Sequence, residues 1–216
     1  MNWLLSIKKT SYFWALVAVS LVFILASNYF LATEELYYQS YAEQFTLGQI
    51  QEIIARANSS IWHYLVYLLI PITIIIRILF TSFCLQAGNL VQESHWKFKE
   101  LYNIALKADA IYLFNLIGNF YFYAFLQPAK TIQDLNINFL SLLKIKGIEN
   151  VQSWLVLAFN SINLFEFLYI VLLIIFLKTS FQLRWLKSVM FVLLTYCIGN
   201  YLYIVSMTFV YLNFAQ

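Results

Sequence analysis

Five stretches of this chain run for 18 to 25 residues with no more than one charge in each. They are residues 11–32 (no charge), 61–85 (Arg77 alone), 110–127 (no charge), 154–177 (Glu166 alone) and 188–212 (no charge). About 20 mostly apolar residues is what a helix needs to cross a bilayer. In lipid every backbone N–H and C=O must be paired inside its own segment, so such runs form helices. The expectation is therefore an all-α membrane protein, a bundle of five transmembrane helices in one domain over residues 1–216. The third run is the shortest and carries Asn115, Gly118 and Asn119, so its insertion depends on its neighbours.

Composition removes the alternatives. The chain is 62% hydrophobic and 11% charged, against about 45–50% and about 25% in soluble domains. A soluble globule could not hide that much apolar surface. A soluble enzyme, a disordered chain and a nucleic-acid binder are excluded, and a formal charge of +3 is too weak for a polyanion partner. With 5 Gly and 2 Pro there is no material for a flexible linker. The first run follows Lys8 and Lys9 as a signal peptide would. Its apolar core exceeds a signal h-region and no small-residue cleavage site follows, so it reads as a retained anchor.

Basic residues in the connections set orientation. One side collects Lys8, Lys9, Lys97, Lys99, Lys107, Lys178, Arg184 and Lys187, and the other Arg56, Lys130, Lys144 and Lys146. The larger set places the N-terminus in the cytoplasm and the C-terminus outside, in a bacterial inner or plasma membrane. Trp62 and Trp154 then stand at the outer entries of their spans as interfacial anchors. Two outer connections carry helical periodicity. Thr46 to Gln49 fits a capping box ahead of Ile50, Ile53, Ile54 and Ala57. Ile132, Leu135, Phe139, Leu142 and Leu143 repeat likewise, with Gly147 as a stop. Both predict short amphipathic helices. Asn58-Ser59-Ser60 matches a glycosylation acceptor on the outer side.

Two intramembrane charges are the first candidates for function. Arg77 costs about 2.5–3.5 kcal/mol at a span centre, but the 15 Ile, Leu, Val and Phe of its run, at about −0.3 to −0.6 each, outweigh it. Entering from outside, Arg77 lies about 24 Å deep and Glu166 about 18 Å, at 1.5 Å per residue. A direct Arg77–Glu166 pair is expected. Asn160 and Asn163 lie on the Glu166 stripe, and Tyr196, Asn200 and Tyr203 of the fifth run, with Asn115 and Asn119 of the third, face the same polar theme. Two uses stand open: a polar site for a substrate or proton, or interhelical glue that fixes helix register. A second candidate is the cytoplasmic segment Trp96, Lys97, Phe98, Lys99 and Lys107, the densest basic-aromatic stretch outside the spans. Asp109 falls at the cytoplasmic mouth of the third span. His63 and His95 fall on opposite sides, and Cys84 and Cys197 read as reduced packing residues. No phosphate loop, nucleophile elbow or zinc-helix motif occurs, so no catalytic set, metal or cofactor is expected.

The stretches GNLVQESHWKFKELYNIALKADAIYLF and FNSINLFEFLYIVLLIIFLKTSFQLRWLKSVMFVLLTYCIGN are similar to the Yip family of five-pass membrane proteins. The first resembles its glycine-marked exit, basic Phe-containing stretch and small-residue helix start. The second resembles its fourth span, basic turn and Tyr-containing fifth span. The resemblance covers about residues 61–212 and implies a non-enzymatic membrane protein. Eukaryotic members engage Rab-type GTPases in membrane traffic. The short segment before the first span and the connection 33–60 resemble prokaryotic members instead. The leading expectation is an accessory or scaffold whose partners are membrane lipids and other membrane proteins or a second copy, with no nucleic acid. The rival class is a small transporter or permease-like subunit using the polar stripe.

Overall fold

The computed structural model describes residues 9–59, 61–93 and 95–214. Lys8 and Ser60 lie outside them, as do the side chains of Lys9, Asn58, Trp62 and His63. In chain order the helices are α1 (Lys9–Phe30), α2 (Glu34–Tyr41), α3 (Leu47–Ser59), α4 (Ile61–Val91), α5 (Phe98–Ala108), α6 (Ile111–Tyr121), α7 (Leu142–Lys146), α8 (Val156–Ser161), α9 (Leu164–Phe181), α10 (Trp185–Val192) and α11 (Ile198–Phe214). Wide π-helical turns follow α6 at Phe122–Leu126 and join α10 to α11 at Leu193–Cys197. Among the described residues no strand forms.

Among the described residues, four helical segments are long and apolar enough to cross a membrane: Ser11–Phe30, Tyr67–Val91, Leu164–Phe181 and Trp185–Asn213. The expected third span, 110–127, is not among them. It divides into the 11-residue α6 and the π-turn, and ends at Gln127. The expected fourth span, 154–177, is interrupted. Asn163 is extended, and the chain there pairs with the segment before α7: Leu142 N donates to Ile162 O (2.9 Å) and Leu164 N to Leu140 O (3.2 Å). That pairing satisfies backbone groups the break frees, which an apolar setting demands. The helical periodicity of residues 132–143 is likewise not one helix. It resolves into a 3₁₀ turn at Asp134–Asn136 and then α7, capped by Ser141 and stopped by Gly147 at φ +82°. Thr46 N does bond Gln49 Oε1 (2.9 Å) ahead of α3, whose Ile50 and Ile54 are buried.

The chain packs as two compact units. One comprises Met1–Ile74 with Leu113–Phe139, the other Ile75–Tyr112 with Leu140–Gln216. In the first, Phe120 packs edge-on against Phe23 and Phe30. Asn115 and Asn119 explain themselves here. Both donate through Nδ2 to Asn138 Oδ1 (2.8 and 3.2 Å), and Asn119 Oδ1 accepts from Phe139 N (2.8 Å). They anchor a loop onto α6. Gly118 leaves the room this needs, since a Cβ there would sit 2.6 Å from the Phe139 ring.

In the second unit, Leu85, Leu101, Ile104, Ala108, Tyr169, Leu173, Ile174, Leu177, Phe191, Val192 and Tyr196 form the core. Trp96, just before α5, stacks on Phe181 at the end of α9 with ring centroids 4.2 Å apart. Tyr112, just after α5, bonds Glu166 at the start of α9. So α5 runs antiparallel along α9 and buries Leu101, Ile104 and Ala108 against it. Helices α4 and α11 approach through small residues, as interfaces in lipid do. A Cβ on Gly88 would lie 2.1 Å from Thr195 Cγ2, and one on Gly199 2.5 Å from Cys84 Sγ.

Candidate functional site

The second unit holds a layer of polar side chains inside its apolar core. Its parts come from four places: Arg77 and Thr81 on α4, Asp109 and Tyr112 in the turn after α5 and the first turn of α6, Glu166 and Tyr169 on α9, and Tyr196 and Asn200 around the start of α11. Asp109 is the C-cap of α5, and the apolar face of that helix carries it inward. Glu166 is the third residue of α9, and Asn163 Oδ1 caps that helix by accepting from Glu166 N (2.9 Å). A carboxylate in the first turn of a helix is favoured by the unpaired N–H groups and the dipole there.

The expected Arg77–Glu166 pair does not form. Arg77 donates through Nε to Asp109 Oδ1 (2.6 Å) and through Nη2 to Asp109 Oδ2 (2.7 Å), a two-pronged ion pair. This geometry matches the planar guanidinium to both carboxylate oxygens. Asp109 is only 2% exposed, the Arg77 side chain 38%. The guanidinium carbon also lies 4.0 Å from the centroid of the Tyr112 ring, an attractive placement for a cation. Glu166 is held by neutral donors: Tyr112 OH to Oε2 (2.6 Å), Tyr196 OH to Oε1 (2.7 Å) and Asn200 Nδ2 to Oε1 (3.2 Å). Tyr112 therefore stands between the two charged groups, ring against Arg77 and hydroxyl on Glu166. Tyr169 fills the centre, sharing a 2.8 Å hydrogen bond with Thr81 and packing its ring 5.0 Å from Tyr112 and 5.3 Å from Tyr196.

Of the expected intramembrane residues, the structure brings Arg77, Glu166, Tyr196 and Asn200 into this layer. Asn163 instead serves the backbone, its Nδ2 donating to Asn160 O (3.1 Å) and Ser161 O (3.2 Å). Asn160 enters through that carbonyl, in α8, on the other side of the chain break. Sequence reasoning missed Thr81, Tyr112 and Tyr169, and above all Asp109, which sequence spacing leaves at a membrane mouth. The signal that finds it is the run Leu101, Ile104, Ala105 and Ala108, whose helical repeat continues an apolar face up to Asp109 instead of ending before it.

The basic-aromatic segment is also rearranged. Trp96 turns inward onto Phe181 and Phe191, and the half-buried Phe98 packs on the exposed Phe83. Asn89, 2% exposed, clasps the Trp96 backbone through Nδ2 to O (2.9 Å) and Oδ1 from N (3.4 Å). Lys97 and Lys99 remain exposed. Lys107 lies ten residues further along α5, about 15 Å from Lys97 at 1.5 Å per residue, and is half-buried. The exposed basic side chains near the ends of α5 and α9 are Lys97, Lys99, Lys178, Arg184 and Lys187, and Lys178 Nζ sits 5.3 Å from the Trp185 ring centroid.

Chemically the layer is a closed set. Asp109 takes both prongs of Arg77, and Glu166 takes three donors. The one buried side-chain polar atom without a partner among the described residues, Asn115 Oδ1, belongs to the other unit. Comparison with protein-family models, with curated proteins and with solved structures finds no match to this chain.

Proposed function

We propose that this chain is a non-catalytic, Yip-like membrane protein that acts as an accessory or scaffold for a membrane complex. In this reading it crosses the membrane five times, with residues 110–127, α6 and the π-helical turn after it, supplying the third crossing. The N-terminus is cytoplasmic, and the outer connections form short helices at the far surface. The observation that carries the reading is the mutual satisfaction of the polar layer. A transport site needs polar groups left for its cargo. Here the Asp109 and Glu166 carboxylates already hold two and three donors, the pattern of residues that specify helix packing. The partner surface is the exposed basic set Lys97, Lys99, Lys178, Arg184 and Lys187 beside the exposed Trp185 and Leu186. Each basic residue near anionic headgroups contributes about 1 kcal/mol, so lipid contact accompanies any protein contact.

The rival reading, a small transporter or permease-like subunit, draws on one observation: the Arg77 side chain is 38% exposed. Mild detergent extraction with identification of copurifying proteins separates the two. Under the scaffold reading, Lys97→Glu with Lys99→Glu releases partners from a folded protein, and Glu166→Gln retains them. The reverse pattern, with partners indifferent to the lysines and a flux lost with Glu166, would replace the scaffold with a transporter.

A further inference from the structure

The first unit holds a cavity of about 670 Å³ where α1 ends, within the roughly 300–1,000 Å³ of small-molecule sites. Leu36, Phe120, Tyr123 and Ala124 line it, with Phe30 and Phe125, which are 63% and 68% exposed and so form its mouth. Thr33, Glu35 and Gln39, at and after the start of α2, supply its polar edge. One wall is the π-helical turn Phe122–Leu126, closed by Gln127 N donating to Phe122 O (2.9 Å). Single widened turns of this kind occur frequently at functional sites. Here the turn sends Tyr123 inward, where its hydroxyl donates to Ile137 O (3.0 Å), and leaves Phe125 outside.

Position and charge indicate the occupant. The cavity begins at Phe30, the last residue of a helix long and apolar enough to cross a membrane, and extends to the acidic first turn of α2. Tyr29, 81% exposed beside Phe30, is the kind of amphipathic ring that sits at the headgroup level of a bilayer. Apolar walls alone would not select a ligand there, because lipid tails are as apolar as side chains. Selection falls to the polar edge. Glu35 receives one long hydrogen bond, from Gln39 Nε2 at 3.4 Å, and no cation pairs with it among the described residues. A carboxylate without a cation at that edge complements an ammonium headgroup.

We infer that this cavity takes one acyl chain of an amine-headgroup membrane lipid, its ammonium at Glu35. The inference rests on α1 crossing a membrane and stands apart from the scaffold reading. The test uses full-length protein in nanodiscs carrying phosphatidylethanolamine or phosphatidylglycerol, each with the same diazirine-bearing palmitoyl chain, followed by photolysis and peptide mapping. Phosphatidylethanolamine is expected to label residues 120–129 roughly tenfold more than phosphatidylglycerol, the scale of one charge-assisted hydrogen bond. Glu35→Gln, an exposed change that leaves the melting temperature in detergent unaltered, should abolish that preference. Ala124→Phe, or the milder Ala124→Leu where the larger ring prevents folding, should reduce labelling by both lipids. Equal labelling by the two lipids in the unaltered protein overturns the headgroup assignment. Labelling no stronger at residues 120–129 than along exposed α9 overturns the site.

Discussion

Replacing Arg77 by Met removes the partner of a carboxylate that has nowhere else to go. Asp109 is 2% exposed, and both of its oxygens are bonded to Arg77 at 2.6 and 2.7 Å. Breaking a buried pair from the side of its exposed partner strands the buried charge and costs about 3–5 kcal/mol. The opposite change, Asp109→Leu, is milder. Arg77 is 38% exposed on its side chain, and its long stem can carry the guanidinium toward the interface, so about 1–3 kcal/mol is expected. In Arg77→Met with Asp109→Leu, both charges are gone and chiefly the contact with the Tyr112 ring is lost, about 1–2 kcal/mol. The two single costs then exceed the double cost by at least about 2 kcal/mol. Reversible unfolding in mixed micelles of dodecylmaltoside and dodecyl sulfate measures all three. Additivity within about 0.5 kcal/mol would refute the pairing. A costlier Asp109→Leu than Arg77→Met would refute the burial argument even if coupling is present. The same cycle on Arg77 and Glu166, which both contact Tyr112, should give a coupling below about 1 kcal/mol.

Asn163→Ala removes the cap of α9 and the acceptor for Glu166 N, and should lower stability by about 1 kcal/mol in the same assay without weakening partner binding. Gly199→Leu drives a side chain into Cys84 and should destabilise by about 1–3 kcal/mol or more. Gly48→Ala, with nothing within 4 Å of the added Cβ, should stabilise α3 by about 0.5–1 kcal/mol, and the melting temperatures of the two variants should move in opposite directions. Single cysteines introduced at the exposed Glu52 and Lys99 report topology: an impermeant maleimide should reach position 52 only from outside and position 99 only from the cytoplasm. Labelling of both positions from one side would remove the five-span arrangement.

Helical character and long apolar segments were legible because lipid leaves a backbone no other choice. Runs of apolar residues state that constraint directly, and four of the segments appear as helices of crossing length. Local chemistry was legible too. Gln49 reaching back to Thr46 and Gly147 ending α7 depend on neighbours a few residues apart. Hydropathy could not show the break at Asn163, because Ile162 and Leu164 are apolar on either side and the break is maintained by Leu140 and Leu142, more than twenty residues earlier in the chain. The same holds for the partner of Arg77. Depth along a span allowed Glu166, but pairing depends on which helix faces go together. Only the antiparallel seating of α5 on α9, with Trp96 on Phe181 at one end and Tyr112 on Glu166 at the other, carries Asp109 into the core. Sequence by itself determined that the two charges needed polar company, since a lone ion in an apolar interior is too costly. Tertiary structure decided which: Asp109 for Arg77, and two tyrosines and an asparagine for Glu166.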